Sequence, residues 1–337
     1  MSGTAGPSVN NTVPSSHLSL VPPPQSLAQD CPILIWMLSL NREYTAEEYE
    51  ACYTFLKDYT DHVDLGPYNA EDADSFRHLI TQLLPVLMMR HRRIPRSKWR
   101  DQVTQNGKHW IEQLPDDMPP EKFLYSMIGY HIECGPSLCG IAMTQGPQKR
   151  VVNIGLGIKQ LTVEPRGISV AVYLESLSHK LTPNEMALIP VDEGDEIALR
   201  RLTIILALKE AYIHAIGQPI GFDYSRLEFN VPEGKAWGDG HPLQGWEFRI
   251  WSAALGVARG DRLVEEQYQC VCAFFRGTKE STFLWKDERK ALDTWVQFIN
   301  IDQMIKELVT DMYLLYCAGI PLTYTVEAVY NTTYVPT

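Results

Sequence analysis

The chain has 337 residues, of which 45% are hydrophobic, and this is enough for one large or two medium-sized domains. Its 30 basic and 41 acidic residues give a formal net charge of −11, which argues against nucleic acid as a partner. No apolar run reaches the roughly 20 residues of a membrane span, and no basic region precedes an apolar run at the N-terminus. We therefore expect a cytoplasmic protein without a membrane partner.

The N-terminal segment begins without a recognisable fold signal. Residues 1–30 are rich in Ser, Pro, Gly and Asn and cannot bury enough apolar area to offset ordering entropy, so we expect a disordered leader. Cys31–Leu40 is an apolar run with β-branched and aromatic residues, which predicts a buried strand. A helix is predicted over Tyr44–Leu56, because Thr45 and Glu48 have the spacing of a capping box.

A basic cluster follows the second predicted helix, Ala70–Arg92, which has a wide apolar face. The cluster reverses the acidic balance of the chain locally. It is either a solvated surface cluster or an anion-binding site for a phosphate or an acidic partner. Its members are Arg90, Arg92, Arg93, Arg96, Lys98 and Arg100.

A polar break at Gln145–Lys149 separates the segment Ile128–Met143 from a predicted strand at Val151–Leu161. We take this break as the boundary between two halves of the chain. The predicted units are a leader at 1–30, an N-terminal half at 31–147, a C-terminal half at 148–312 and an extension at 313–337.

The longest predicted helix begins at Glu196 and ends at Gly217, a residue type suited to a helix C-terminus. Its apolar residues recur at helical spacing and should face a core. Glu210 and His214 prolong the apolar line that passes through Leu206, so their side chains lie on one face. They are either paired inside the protein or lining a pocket.

The segments after this helix alternate between apolar and polar residues and predict three antiparallel strands. They begin at Leu227, Trp246 and Tyr268, and another helix is predicted over 287–308. Seven cysteines are an odd number for a disulfide framework, and the Cys270/Cys272 spacing suits a strand better than a zinc site. We therefore expect reduced cysteines.

Short motifs along and after the longest helix carry a family resemblance. They are Lys209-Glu210-Ala211, Ala215-Ile216-Gly217, Gly221-Phe222-Asp223, Arg226-Leu227-Glu228-Phe229 and the stretch Tyr268–Phe283. Together they resemble the surfactin-type 4'-phosphopantetheinyl transferases, especially fungal members. The resemblance implies an α+β fold of two similar halves related by pseudo-twofold symmetry, each a small antiparallel sheet with a long helix. It also implies transfer of phosphopantetheine from coenzyme A to a carrier-protein serine, with magnesium.

Several positions depart from the family pattern. The family's magnesium aspartate falls on Gly157 and its neighbour two residues on falls on Lys159; a competing register gives Ser169 and Ala171, which also lack the acid. Of the metal-site acids, the chain then keeps Glu210. On the preceding strand, the family's Asn-Val-Ser-His becomes His131-Ile132-Glu133-Cys134, so its phosphate-contacting histidine is a cysteine. On the longest helix, a tryptophan becomes Leu206 and a lysine becomes His214.

The resemblance also suggests a cofactor crevice with changed chemistry. Asn106-Gly107-Lys108 resembles a family motif, which makes Lys108, with Arg93 and Arg100, an anion-binding candidate. We expect a Lys159–Glu210 ion pair in place of the metal, no metal site and no cofactor. The catalytic candidates are Glu210, His214, Lys159 and Lys209, and the pocket candidates are His131, Glu133, Cys134, Gly157 and Leu206.

Three functions fit these expectations. The leading hypothesis is a repurposed, metal-independent enzyme of secondary metabolism that cyclises or isomerises a small-molecule substrate by acid–base chemistry. The second is a genuine transferase with altered ligands, which uses coenzyme A and Mg²⁺. The third is a non-catalytic carrier-protein-binding protein. The same polar residues could also merely satisfy one another structurally.

Overall fold

The computed structural model describes residues 31–59, 65–114, 118–218, 220–286 and 295–306, so the predicted leader and the extension at 313–337 lie outside the described residues. The helices of this part are α1 Ala46–Tyr59, α2 Ala73–His91, α3 Pro120–Leu124, α4 Gln148–Val151, α5 Val170–Ser176, α6 Pro183–Ala187, α7 Asp195–Ile216 and α8 Ile301–Ile305. The strands are β1 Ile33–Ser39, β2 Trp99–Val103, β3 His109–Gln113, β4 Met127–Cys134, β5 Leu138–Gly146, β6 Ile154–Gln160, β7 Leu227–Asn230, β8 Lys235–Gly238, β9 His241–Pro242, β10 Trp246–Arg259, β11 Arg262–Phe275, β12 Thr282–Trp285 and β13 Val296–Asn300.

The described strands form three sheets. Their orders are β13-β1-β5-β4-β3-β2, β12-β10-β11-β6 and β7-β8-β9. Neighbouring strands are antiparallel except β1–β13 and β10–β12, which are parallel. The two long helices, α2 and α7, pack with the first and second sheets respectively. The predicted α+β class with small antiparallel sheets is confirmed.

The two larger sheets lie face to face, with helices on their outer sides. Strand β1 shows why, because its side chains are apolar on both faces. Trp36 and Leu38 face a core shared with α1, α2 and α8. Ile35 and Met37 face a second core, shared with β6, β10 and β11 of the other sheet. A third core lies between the second sheet and α7.

Two element predictions are wrong. The segment predicted as one strand over 128–143 is a hairpin of β4 and β5, because Gly135-Pro136 interrupts it with a turn. The segment predicted as a helix over 287–308 contains, in its described part, strand β13 and the short helix α8. Its backbone pairs with β1, and this tertiary pairing overrides the local helical pattern.

Helix termini agree closely with the sequence. The predicted capping box of α1 is present, with the Thr45 amide donating to Glu48 at 2.9 Å and the Glu48 amide donating to Thr45 Oγ1 at 3.2 Å. Helix α7 ends at Gly217, which has the left-handed conformation with φ of 74°. None of the helices in the described ranges is both long and apolar enough to cross a membrane.

The close approach of α7 to β6 fixes the position of the crevice. A Cβ atom on Gly155 would lie 2.1 Å from the carbonyl oxygen of Ala211, and one on Gly157 would lie 2.4 Å from that of Ala207. Only glycine permits this strand–helix distance. The competing register fails, since Ser169 caps helix α5 instead of lying in a strand.

Candidate active site

A polar crevice forms where β4, β6 and α7 meet. Side chains on β4 alternate between the two faces of the sheet, so His131 and Glu133 point away from the core to which Ile132 belongs. On α7, Glu210 and His214 lie one helical turn apart and point toward β4 and β6. The prediction that these two helix residues share a face is confirmed.

The peptide of Leu156 holds both histidines in place. Its N–H donates to Nδ1 of His131 at 3.2 Å, and its carbonyl oxygen accepts from Nδ1 of His214 at 2.8 Å. The imidazole rings stack with centroids 4.5 Å apart. Because a peptide N–H can only donate and a carbonyl can only accept, the two rings have opposite tautomers when neutral.

Neutral rings are what the surroundings favour. Burial lowers the pKa of His131 well below its ordinary value, and the neighbouring His214, Lys108 and His109 lower it further. Burial also lowers the pKa of His214, although its bond to Leu156 opposes the shift. At neutral pH, His131 therefore presents an N–H at Nε2, and His214 presents a lone pair at Nε2.

The ion pair predicted between Lys159 and Glu210 is present. The Lys159 ammonium lies 2.5 Å from Oε1 of Glu210, and their side chains are 34% and 13% exposed. The hydroxyl of Tyr224 also hydrogen-bonds to Glu210, and burial together with the charges of Glu210 and Glu133 raises the pKa of Tyr224 to about 12. The Glu210 carboxylate therefore accepts hydrogen bonds from two side chains, those of Lys159 and Tyr224.

Glu133 is the second carboxylate of the crevice. Burial and the charge of Glu210 together raise its pKa to about 7, and Lys159 opposes the shift. Its Oε2 lies 3.6 Å from Nδ1 of His214. The sequence analysis identified Glu133 as a pocket residue. Its position next to Glu210 depends on pairing between distant strands and has no local signal.

Lys108 borders the crevice and points toward backbone carbonyl groups. Its ammonium donates to the carbonyl oxygens of Ile154 and His214, each at 2.6 Å, and burial lowers its pKa to about 7. These contacts tie the β2–β3 hairpin to the end of α7. Two of the three N–H donors of the Lys108 ammonium are directed at backbone carbonyl groups, and its anion-binding role stays a prediction.

Lys209 lies on a different side of α7 from Glu210. It is fully buried, 2.6 Å from Glu185, and donates to the carbonyl oxygens of Lys180, Tyr224 and Leu227. Consecutive helix residues point about 100° apart, so Lys209 cannot share the crevice with its neighbour. The structure places this catalytic candidate outside the crevice, where it connects α7 to the segments that follow α5 and α7.

Three predicted pocket residues also lie elsewhere. Cys134 forms a disulfide with Cys139 across the β4–β5 hairpin, on the face opposite Glu133, which corrects the expectation of reduced cysteines. Leu206 is buried in an apolar cluster with α5 residues. Gly157 presents no side chain and packs against the α7 backbone.

The two remaining anion-binding candidates lie on the surface. Arg93 follows α2, and Arg100 is an exposed residue of β2. Their predicted role stays a prediction. Tyr224, which the sequence analysis did not identify, is the residue that contacts Glu210 from outside the three elements. Its position directly after Gly221-Phe222-Asp223 is the signal that could have found it.

Comparison with known proteins decides the family. No family model matches the chain. The 4'-phosphopantetheinyl transferase pptA of Paxillus involutus is 33% identical over 186 residues, a match that covers 54% of this chain and 67% of that protein. The chain belongs to the 4'-phosphopantetheinyl transferase family. The resemblance inferred from the motifs around α7 is confirmed.

Membership of the 4'-phosphopantetheinyl transferase family corrects the expectation of no cofactor. The family's reaction uses coenzyme A and Mg²⁺, so a reading without either conflicts with the match to the Paxillus transferase. The error came from counting acids along the aligned motif. That count leaves Glu210 as the single acid of the site. The fold places Glu133 of β4 near Glu210, close enough for the two carboxylates to repel each other.

The crevice of this family member fits Mg²⁺. This cation takes oxygen ligands and is usually held by one or two carboxylates together with substrate phosphates. Glu133 and Glu210 supply two carboxylates that repel each other and share one lysine, Lys159. A cation between them would relieve that repulsion. Lys159 is partly exposed, so its ammonium can move from Glu210 to a phosphate.

Proposed function

We propose that this protein is a 4'-phosphopantetheinyl transferase with altered ligands, which transfers phosphopantetheine from coenzyme A to a serine of a carrier protein. The observation that carries the proposal is the pair of carboxylates, Glu133 and Glu210, in the crevice of a chain from this family. Glu133 supplies the second acid that Gly157 does not.

In this reaction, the carrier serine oxygen forms a bond to phosphorus as the bond to the nucleotide half of coenzyme A breaks. Glu133 and Glu210 would hold Mg²⁺, which neutralises phosphate charge when bound. Lys159 would contact a phosphate oxygen, and the Nε2–H of His131 would donate to another. Glu210 would accept the serine proton.

The test is the mass of an apo carrier protein after incubation with the protein, coenzyme A and Mg²⁺. We expect a gain of one phosphopantetheine, lost with EDTA and reduced about hundredfold or more in rate by Glu210→Gln. The matched control is Glu196→Gln, because Glu196 lies on the same helix with its side chain 79% exposed. An unmodified carrier with the wild-type protein contradicts the proposal.

One observation favours a second candidate, a non-catalytic carrier-binding protein. The 2.5 Å Lys159–Glu210 ion pair fills one side of the metal position with an ammonium group. If that pair stays closed, the protein binds a carrier without modifying it. Carrier binding in a pull-down, together with an unchanged carrier mass, would support this candidate and reject the transferase.

The small-molecule cyclase or isomerase hypothesis has no support beyond the family fold. The similar protein is a transferase. Of the four residues proposed to catalyse the reaction, Lys209 is buried away from the crevice. The remaining three are equally compatible with phosphate and metal binding.

A further inference from the structure

We propose that Tyr224 is a positioning residue of the reaction, whose hydroxyl holds the Glu210 carboxylate in place when Lys159 moves from Glu210 to a phosphate. This inference deepens the proposed function, on which its catalytic relevance rests. The Tyr224 hydroxyl hydrogen-bonds to Glu210 and also experiences the charge of Glu133, so it lies close to both acids of the crevice. Tyr224 begins a short 3-10 turn, Tyr224–Arg226, outside the three elements that form the crevice.

Glu210 needs a hydrogen-bond donor that does not leave with the substrate. The Lys159 ammonium lies 2.5 Å from it, but the Lys159 side chain is 34% exposed and can move to a phosphate. The Glu210 side chain is 13% exposed, so its ionised carboxylate depends on hydrogen bonds from within the protein. Once Lys159 has moved, the Tyr224 hydroxyl is a donor that remains on Glu210.

A tyrosine hydroxyl suits this role because it is neutral. An ammonium group on Glu210 offsets the negative charge that attracts a cation or a proton, whereas a hydroxyl leaves that charge on the carboxylate. Burial, together with the charges of Glu210 and Glu133, raises the pKa of Tyr224 to about 12, so the hydroxyl keeps its proton at neutral pH. Tyr224 therefore fixes Glu210 without neutralising it.

The backbone of Tyr224 is anchored to the helix that carries Glu210. The buried Lys209 ammonium donates to the carbonyl oxygens of Tyr224 at 2.9 Å and Leu227 at 2.8 Å. The Lys180 ammonium lies 5.2 Å from the centroid of the Tyr224 ring, a cation–π contact that orients the ring. Because Lys209 precedes Glu210 on α7, the same helix holds the Tyr224 backbone and presents the carboxylate that the Tyr224 hydroxyl contacts.

The kinetic experiment measures carrier modification by Tyr224→Phe, which removes the hydroxyl and keeps the ring. We expect kcat to fall about tenfold while the KM values for coenzyme A and the carrier change less than about twofold, because Glu210 loses its position only after Lys159 has moved. The matched control is Tyr212→Phe on α7, whose ring packs against Trp246 with centroids 4.7 Å apart. This control should keep the wild-type kcat.

A structural measurement tests the same contact without activity. Lys159→Met removes the ammonium group and so imitates its departure to a phosphate. Crystal structures of Lys159→Met and of Lys159→Met combined with Tyr224→Phe should differ at Glu210. We expect its carboxylate in the wild-type position in the single variant and displaced in the double variant.

The outcomes separate this inference from the transferase proposal. An unchanged kcat in Tyr224→Phe, an equal loss in Tyr212→Phe or a change confined to KM would overturn the positioning role, as would an undisplaced Glu210 in the double variant. Carrier modification by the wild type would stand in each of those cases. Conversely, if the wild type does not modify the carrier, the proposed function fails, and the two crystal structures still decide whether Tyr224 holds Glu210.

Discussion

At the scale of single residues, Glu133 is a carboxylate whose negative charge is disfavoured by its surroundings. Its side chain is 27% exposed, and burial together with Glu210 raises its pKa to about 7 from the ordinary glutamate value of 4.5. The folded protein therefore binds a proton at Glu133 more tightly than the unfolded chain does. Between these two pKa values, the folded state loses stability as the pH rises, because Glu133 must ionise in the crevice.

Glu133→Gln should remove this pH dependence. Without metal, the variant should gain stability relative to the wild type between pH 5 and pH 8, by about 1–3 kcal/mol after allowance for partial exposure. Urea unfolding in EDTA at both pH values measures the difference. If the unfolding free energies of the wild type and the variant changed in parallel with pH, ionisation of Glu133 would not be the cause of the pH dependence.

Some contacts between single residues could be predicted from the sequence, and others could not. The Lys159–Glu210 pair was predictable, because the family alignment places both residues at one site. The proximity of Glu133 and Glu210 was not predictable, because it depends on how β4 is placed relative to α7. Lys209 was misjudged for a simpler reason: the residue next to a site residue in a helix faces elsewhere.

At the scale of elements, the contact between β6 and α7 determines which side chains enter the crevice. Gly155 and Gly157 bring the strand to the helix backbone, so Lys159 and Glu210 meet just beyond them. Helix α7 was predictable with its C-terminal glycine, because capping is a local property. The use of strand glycines for close packing could not be inferred without knowing the partner helix.

Gly157→Asp should not restore a conventional metal site. Its Cβ would lie 2.4 Å from the Ala207 carbonyl oxygen, so the variant should lose at least about 2 kcal/mol of unfolding free energy. Gly256→Asp on β10 is the control, because the nearest atoms belong to the Leu263 side chain at 3.3 Å. Thermal or urea unfolding compares them, and a stable Gly157→Asp protein would refute the packing argument.

The buried Lys209–Glu185 pair joins α7 to α6. Both side chains are fully buried, and each makes further hydrogen bonds to backbone groups. Lys209→Met leaves the Glu185 charge without its partner and should cost about 3–5 kcal/mol in urea unfolding. Lys235→Met breaks an ion pair whose side chains are 60% and 54% exposed and should leave stability unchanged. Equal losses of unfolding free energy in the two variants would show that burial does not determine the cost of breaking an ion pair.

At the scale of the whole molecule, the two halves share structure across the predicted boundary. Strand β13, from the C-terminal half, pairs with β1 in the first sheet. The second core lies between the two larger sheets and draws residues from both halves. The α+β class was predictable from the family resemblance, but this exchange was not, because a five-residue strand has too little periodicity to reveal a distant partner.

The N-terminal half at 31–147 should therefore not fold by itself. Without β6, β11 and β13, one face of β1 and β5 would expose apolar residues to water. Circular dichroism during urea titration should show a cooperative transition for residues 31–312 and none for residues 31–147. A cooperative transition in the shorter fragment would mean that the halves are independent domains.

The central claim is that Glu133 has taken the place of the missing strand acid beside Glu210. The most direct measurement is an anomalous difference map from crystals of the protein soaked with coenzyme A and Mn²⁺. The account predicts a metal peak in contact with carboxylate oxygens of both Glu133 and Glu210, with Lys159 moved to a phosphate. A peak away from Glu133, or no peak with the Lys159–Glu210 pair intact, would contradict it.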